Sequence, residues 1–169
     1  RFLEEILQTA LQAKAVFCGY DYRFGKNAEG DTRMLEEFCP SNGIYCEVLP
    51  ALTEGGSPIS STRIRECIHS GRMEEAQTLL GYPYTIDFPV SEGRKLGRRL
   101  GFPTINQPYP KGNILPRFGV YASLAQIDGK SYMGVTNVGV KPTVGADNPP
   151  SAETYLIGYE GDLYGRQVP

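Results

Sequence analysis

The sequence predicts an α/β segment containing a parallel sheet, followed by a small antiparallel β-barrel. In the first half, apolar runs typical of buried strands alternate with segments of helical periodicity, an order that implies parallel strands joined by crossovers. Helical periodicity disappears after Gly81, and the 13 prolines and 20 glycines of the chain are densest beyond that point, as in small antiparallel barrels. We therefore predict two domains, residues 1–82 and 83–169.

Composition excludes several classes of protein. The net charge is −2, which gives no basic footprint for nucleic acid. No apolar run approaches the roughly 18–20 residues of a membrane span. The four cysteines form no CxxC pair and have only His69 as a histidine partner, which disfavours zinc and indicates free thiols in a reducing cytosol. We read His69 as a surface residue without a role.

Elements of the first half follow from periodicity and capping signals. Asp31 is a plausible N-cap, and Gly81 a plausible C-terminal glycine. Ser60 or Ser61 can cap a short helix, and a further helix over MEEAQTLLG ends at Gly81. The other expected elements are a helix over 2–13, strands over 15–20 and 44–52, a loop over 21–31, and a helix over 32–38 ended by Pro40 and Gly43.

Elements of the second half are strands and turns. Residues 120–140 alternate in polarity around Asp128-Gly129, the strongest short signal for a hairpin. SAETYLIG predicts another strand, followed by a turn at 160–162 and the start of a return strand. Because the chain begins at Arg1 and stops at an incipient strand, we expect it to be a fragment that lacks both ends.

The stretch ISSTRIR, residues 59–65, is a candidate phosphate site. Ser60 and Ser61 stand at a predicted helix start, where free backbone N–H groups and the helix dipole attract an anion. Arg63 or Arg65 would add a forked cationic donor. An ordinary serine cap with solvent-facing arginines is the alternative, and the pattern alone leaves it open.

A second candidate is GYDYRFG, residues 19–25, at the predicted carboxyl end of a strand. Ligands of open α/β sheets bind outside such strand ends. Asp21 offers an acceptor for ligand hydroxyls, and the rings of Tyr22 and Phe24 offer faces for stacking. These aromatic residues could instead pack in the core.

The stretch GRRLGFPTIN, residues 97–106, is a candidate site for a metal and a polyphosphate. Thr104 and Asn106 share one face of an extended strand and carry the hard neutral oxygens that Mg²⁺ accepts. A strand-edge turn is the alternative. Before Thr104, Gly93, Gly97 and Gly101 would allow the backbone to approach phosphates closely. Lys95 and Arg98 would supply positive charge.

Glu153, in SAETYLIG, is a candidate base. Glu153 shares one face of the predicted strand with Tyr155 and Ile157, and these two residues indicate that the face is directed inward. A carboxylate on a buried face is costly unless it has a partner or acts as a base. A salt-bridged or edge-facing glutamate is the alternative.

These stretches together resemble the prokaryotic bifunctional riboflavin kinase/FMN adenylyltransferase (FAD synthetase) family. GYDYRFG looks like the flavin-side loop of the adenylyltransferase module, and ISSTRIR is similar to the second signature of the nucleotidyltransferase superfamily. GRRLGFPTIN is similar to the kinase pattern GRxLGFPTAN, with Ile105 in place of alanine. GVYA (119–122), TNVGVKPT (136–143) and GDLYG (161–165) follow in family order, so the resemblance covers essentially the whole chain.

The resemblance implies a fold and a set of roles. The fold is the C-terminal part of a Rossmann-like α/β nucleotidyltransferase, followed by a small antiparallel β-barrel riboflavin kinase domain. Glu153 would take the proton from the 5′-hydroxyl of riboflavin. In the kinase module, Mg²⁺ would bind at Thr104 and Asn106, and the ATP phosphates at Gly93, Gly97, Arg98, Thr104 and Asn106. In the first module, ATP would bind at Ser60, Ser61 and Arg65, with Arg63 as a second cation, and FMN at Asp21 and Phe24.

The predicted activity is phosphorylation of riboflavin to FMN with ATP, and adenylylation of FMN to FAD in the intact protein. The expected partners are riboflavin, FMN and ATP, without nucleic acid or membrane, in the cytoplasm. The superfamily's HxGH signature is missing, so this chain should not make FAD. A non-catalytic nucleotide- or flavin-binding regulatory module is the alternative. A nucleotidyltransferase for another substrate fits ISSTRIR but does not explain GFPTIN or Glu153.

Overall fold

The structure, a computed structural model, describes residues 1–92, 103–140 and 149–169. The chain divides into two compact units, Arg1–Ile59 and Ser60–Pro169. This division lies inside ISSTRIR, just before the helix that begins at Ser61, whereas the sequence places the domain boundary at residues 82 and 83. Within the described ranges, no helix has both the length and the apolar character to cross a membrane.

The first unit contains a parallel pair of strands packed on helices. Strands β1 and β2 run parallel with Ala15 opposite Tyr45, as the α/β alternation predicts, but a wider Rossmann-like sheet is not seen among the described residues. The Asp31 side chain accepts a hydrogen bond from the Met34 N–H at 3.1 Å, which confirms the predicted N-cap. The elements are a π-helix (Phe2–Ala10), β1 (Ala15–Gly19), α1 (Thr32–Ser41), β2 (Tyr45–Leu49), β3 (Thr53–Glu54) and β4 (Ser57–Pro58).

The first helix differs from the predicted α-helix over 2–13. It is a π-helix that ends at Ala10, with the Leu11 N–H donating to the Ile6 carbonyl five residues earlier. Its wider turn places Phe2, Leu3 and Leu7 against the core beside α1. Ile6 and Leu11, which the helical spacing groups with them, remain exposed.

Helix α1 continues past the residue expected to end it. Pro40 lies inside the last turn, and the helix ends at Ser41. A proline so close to the C-terminus removes a single backbone bond from the helix. Gly43 then adopts a φ of +68°, a left-handed conformation that glycine accepts without steric cost.

The second unit combines two helices with an antiparallel sheet. Four strands lie in the order β6-β9-β8-β7 with antiparallel neighbours, and Gly81 caps α3 with a φ of +80°. The antiparallel pairing and the Gly81 cap were predicted from the sequence, whereas the order of the strands was not. The elements are α2 (Ser61–Ser70), α3 (Met73–Leu80), β5 (Phe88–Pro89), β6 (Thr104–Pro108), β7 (Gly119–Ile127), β8 (Lys130–Gly139), β9 (Ser151–Leu156) and β10 (Gln167–Val168).

The hairpin predicted over 120–140 is confirmed. Ile127 pairs with Lys130, so Asp128 and Gly129 form a two-residue turn, and their φ values are +50° and +76°. A type I′ turn requires positive φ at both positions, and Asp-Gly accepts it at low cost.

Both edges of this sheet are connected to the short β5–β10 pair. At the β7 edge, the Gln126 N–H donates to the Pro169 carbonyl at 2.9 Å, and at the β6 edge the Ser91 N–H donates to the Asn106 carbonyl at 2.8 Å. Strands β5 and β10 pair antiparallel with each other. One core cluster lies inside this arrangement, formed by Val90, Ala125, Ile127, Leu156, Leu163 and Val168.

The Asp128–Arg166 ion pair leads to a prediction about acid stability. Arg166 Nη2 lies 2.6 Å from Asp128 Oδ1, and this hydrogen bond lowers the pKa of Asp128 from its ordinary 3.8. The pair's contribution is therefore present above that ordinary pKa and is lost as pH falls through the lower folded pKa. We expect Asp128→Asn to flatten the loss of unfolding free energy between about pH 5 and pH 2.

Urea unfolding at a series of pH values measures this effect. Asp87→Asn, which removes another exposed carboxylate of the same unit, should leave the acid profile unchanged. Identical profiles for Asp128→Asn and the parent chain would contradict the prediction.

Candidate functional site

Strand register brings the predicted metal ligand and the predicted base together. Asn106 on β6 lies directly opposite Glu153 on β9, and Thr104 lies directly opposite Tyr155. Side chains of directly opposite residues share one face, with Cβ atoms about 4.5–5.5 Å apart. The oxygens of Thr104 and Asn106 and the carboxylate of Glu153 therefore belong to one small surface, although the chain separates them widely.

The face on which Glu153 lies differs from the sequence expectation. Ala152, Thr154 and Leu156 are buried on one face of β9, whereas Glu153 is half-buried on the opposite face, which it shares with the buried Ser151. Ile157 lies beyond the strand and is 52% exposed. The expectation of an inward-facing Glu153 was therefore wrong: the small and aliphatic residues fill the core, and the carboxylate is directed toward the outer surface.

A serine that the sequence did not single out holds the Asn106 side chain. Asn106 is 8% exposed, and its Nδ2 donates to the Ser91 Oγ at 2.8 Å. The Ser91 hydroxyl also donates to the Asn106 carbonyl at 3.2 Å. Because Nδ2 is the atom bonded to Ser91, Oδ1 is the atom that can offer lone pairs to a cation.

Thr104 and Asn106 fit a magnesium ion by their chemistry. A hydroxyl and an amide carbonyl are hard, neutral oxygen ligands, and Mg²⁺ bound to nucleotide phosphates needs few protein ligands because it keeps several waters. Within the described ranges there is no cluster of three histidine, cysteine, aspartate or glutamate side chains for a metal. The predicted phosphate-loop residues Gly93, Gly97 and Arg98 lie outside the described residues.

The Ser91 contact leads to a prediction about magnesium. We expect Ser91→Ala to raise about tenfold the Mg²⁺ concentration that gives half the maximal rate of the kinase activity predicted from the sequence, because groups that orient a metal ligand commonly change affinity by that amount. Titration of the rate with Mg²⁺ at saturating ATP measures it. Ser91→Thr retains the hydroxyl and should stay near the parent value, and an unchanged requirement in Ser91→Ala would contradict the assigned role.

The predicted phosphate site at ISSTRIR lies at the start of α2. Ser60 is the N-cap, and its Oγ accepts a hydrogen bond from the Arg63 N–H at 3.2 Å. Ser61 opens the helix, and both serines and Arg65 are exposed. The capping reading is therefore confirmed for Ser60, while a phosphate site at the same helix start stays a prediction.

The Arg63 side chain forms an ion pair with a neighbouring helix of the second unit. Its Nη2 lies 3.5 Å from Glu75 Oε1 on α3, and Glu75 also contacts Arg72. A cation already paired with a neighbouring helix is a weaker phosphate ligand than an exposed one. Arg65 is therefore the better candidate cation of this helix.

The two predicted flavin residues lie in the first unit in different environments. Asp21 is exposed just beyond β1. Phe24 is only 9% exposed, with its ring 5.0 Å from the Phe2 ring, and a Cβ on Gly30 would overlap that ring. Phe24 therefore packs in the core, which was the alternative that the sequence left open. Its contact with a flavin stays a prediction, and this packing does not support it.

His69 is exposed, as expected, but it has a structural contact, contrary to the expectation that it has no role. Its Nδ1 lies 2.9 Å from the Leu115 carbonyl, so Nδ1–H is the donor. Next to it the Arg117 N–H donates to the Ile68 carbonyl at 3.2 Å. These bonds attach α2 to the segment that enters β7, which explains why the helix groups with the sheet.

Two family models match the chain. The model described as riboflavin kinase matches residues 80–169, and the model described as FAD synthetase matches residues 1–63. The first match covers the whole antiparallel sheet, with Ser91, Asn106 and Glu153. The second covers the parallel strand pair and the serine-capped start of α2.

Curated relatives and a solved structure agree with these matches. The chain is 35% identical to the bifunctional riboflavin kinase/FMN adenylyltransferase of Listeria monocytogenes over 94% of its length and 50% of the relative's. It is 36% identical to the protein of that name from Escherichia coli K12, over 99% and 53%. A crystal structure described as a macrolide-efflux protein from Streptococcus pneumoniae superimposes with a TM-score of 0.84 at 28% identity, over 98% of this chain and 53% of that one.

The chain therefore spans about half the length of the curated relatives it matches. The names of those relatives agree with the resemblance carried by the sequence motifs. Since the riboflavin kinase model also matches just over half of the residues, the chain belongs to the riboflavin kinase family.

Proposed function

We propose that the protein transfers the γ-phosphoryl group of ATP to the 5′-hydroxyl of riboflavin, forming FMN and ADP. The observation that carries this proposal is the placement of Glu153 directly opposite Asn106. A candidate base and a candidate metal ligand share one face of the sheet, within the residues that match the riboflavin kinase model. Phosphoryl transfer needs this combination, because catalysis depends on positioning and on neutralising charge.

Each residue then has a defined task. Glu153 accepts the proton of the riboflavin hydroxyl as its oxygen forms a bond to phosphorus and the bond to ADP breaks. The oxygens of Thr104 and Asn106 hold Mg²⁺, which when bound neutralises charge on the ATP phosphates. We assign the backbone of Gly93 and Gly97 and the side chain of Arg98 to the phosphates as well.

We also propose that the strands of the second unit form the closed antiparallel barrel predicted from the sequence. Support comes from the bonds that connect both sheet edges to the β5–β10 pair. A closed sheet leaves no unpaired edge and holds Asn106 and Glu153 on rigid strands. The domain division at residues 82 and 83 remains part of this proposal.

For the first half, we propose a Rossmann-like nucleotidyltransferase module that adenylylates FMN to FAD in a longer protein. Ser60, Ser61 and Arg65 would bind ATP phosphates at the start of α2, and Asp21 would contact FMN. The one histidine of this chain, His69, lies in α2 and cannot supply the family's HxGH signature. We therefore expect no FAD from the 169-residue chain alone.

The proposed partners are small molecules: riboflavin, FMN and ATP. We propose a cytoplasmic location, because the reaction needs ATP and because the four free cysteines suit a reducing environment. The relatives described above are named as enzymes, which gives the non-catalytic binding module no support.

Flavin chromatography tests the proposal. The full-length gene product is incubated with riboflavin, ATP and Mg²⁺, and the flavins are separated over time, with a reaction lacking ATP as control. FMN should appear first and FAD after it, and the 169-residue chain should yield no FAD. Riboflavin recovered unchanged from a folded protein would overturn the kinase assignment.

A further inference from the structure

Strand β8 carries a third polar residue in the row formed by Asn106 and Glu153. Asn137 lies directly opposite Glu153 on the side away from Asn106. Its neighbours Thr136 and Val138 are buried, at 8% and 4% exposure, so Asn137 is on the same outer face as the carboxylate. The row therefore presents an amide on each side of Glu153.

The Asn137 side chain has no evident structural task. Asparagine is disfavoured in strands, and β7 places the apolar Val120, 69% exposed, on its other side. The side-chain amide of Asn137 forms no hydrogen bond within the part of the chain that the structure describes. By contrast, the Asn106 amide at the other end of the row is bonded to Ser91.

We propose that Asn137 binds the phosphoryl acceptor, with its amide hydrogen-bonded to a hydroxyl of the acceptor's polyol chain beside Glu153. This inference rests on the proposed kinase function. A primary amide offers donors and an acceptor together, which matches alcohol groups. Being neutral, it leaves the charge on the adjacent base undisturbed, whereas a second carboxylate opposite Glu153 would disfavour its ionised form.

Kinetics of two variants in the full-length gene product test the inference. We expect Asn137→Ala to raise the KM for riboflavin about tenfold, while the KM for ATP stays within about twofold.

Ser131→Ala is the matched control. Ser131 lies on the same strand and face and is exposed, six residues away, or about 20 Å at the usual rise. Ser131→Ala should leave the KM for riboflavin and the KM for ATP unchanged, and thermal unfolding of each variant checks that the fold is retained.

The outcomes separate the inference from the function on which it rests. An unchanged KM for riboflavin in Asn137→Ala overturns the role of Asn137 while the parent protein still makes FMN. Absence of FMN from the folded parent protein overturns the kinase function itself.

Discussion

Glu153→Gln should lower kcat for riboflavin phosphorylation about 10²- to 10⁴-fold, the usual range for loss of a general base. Glutamine has nearly the same shape as glutamate and can still accept a hydrogen bond, but it cannot take a proton at neutral pH. Since Glu153 lies on the outer face and outside the core, the substitution should leave the sheet intact.

Initial rates of FMN formation give kcat, and calorimetric titration gives the affinity for MgATP, which should remain within about threefold of the parent value. Glu160→Gln, which alters an exposed glutamate after β9, serves as the control and should retain full activity. A Glu153→Gln variant that turns over at the parent rate would remove the base from the proposed mechanism.

Gln107→Ala should lower the unfolding free energy of the second unit by about 2–4 kcal/mol. Gln107 is 3% exposed, and its Nε2 donates to the Phe88 and Val168 carbonyls, each at 2.8 Å. One side chain thus joins β6 to both members of the β5–β10 pair. Alanine would leave two buried carbonyl groups without this donor and would open a cavity, and both effects destabilise.

Urea unfolding followed by circular dichroism measures the loss. Gln126→Ala removes an exposed glutamine of β7 that bonds only Ser131 among described side chains, and it should cost less than about 0.5 kcal/mol. Gln107→Glu provides a second test, because a carboxylate facing two carbonyl oxygens should be at least as destabilising as alanine. Parent-like stability of both Gln107 variants would refute the proposed role of this side chain.

Local features of the fold could be predicted from short stretches of sequence. The Asp31 and Ser60 caps, the Gly81 C-cap and the Asp128-Gly129 turn each depend on one or two residues whose conformational preference is strong. The hairpin of β7 and β8 could also be predicted, because its two strands directly adjoin that turn. Thr104 and Asn106 could be placed on one face for the same reason, since alternation within one strand is local.

Features that depend on distant partners could not be predicted in this way. The π-helical turns of residues 2–10 reflect how Phe2, Leu3 and Leu7 pack, and helical spacing alone does not distinguish them from α-helical turns. Phe24 became a core residue because Gly30 leaves room for its ring. His69 gained a partner only through the segment before β7, far along the chain.

The sequence by itself determined the caps, the Asp128-Gly129 turn, the order of the longer helices and strands, and the motifs that resemble the riboflavin kinase and FAD synthetase modules. Only the tertiary structure decided that Glu153 faces outward, that it lies between Asn106 and Asn137, and that Ser91 and Gln107 hold β6 in place. The physical reason is that turns and caps are stabilised by bonds between near neighbours in the chain. Strand register is instead fixed by which residues fill the shared core, and those residues come from segments far apart in sequence.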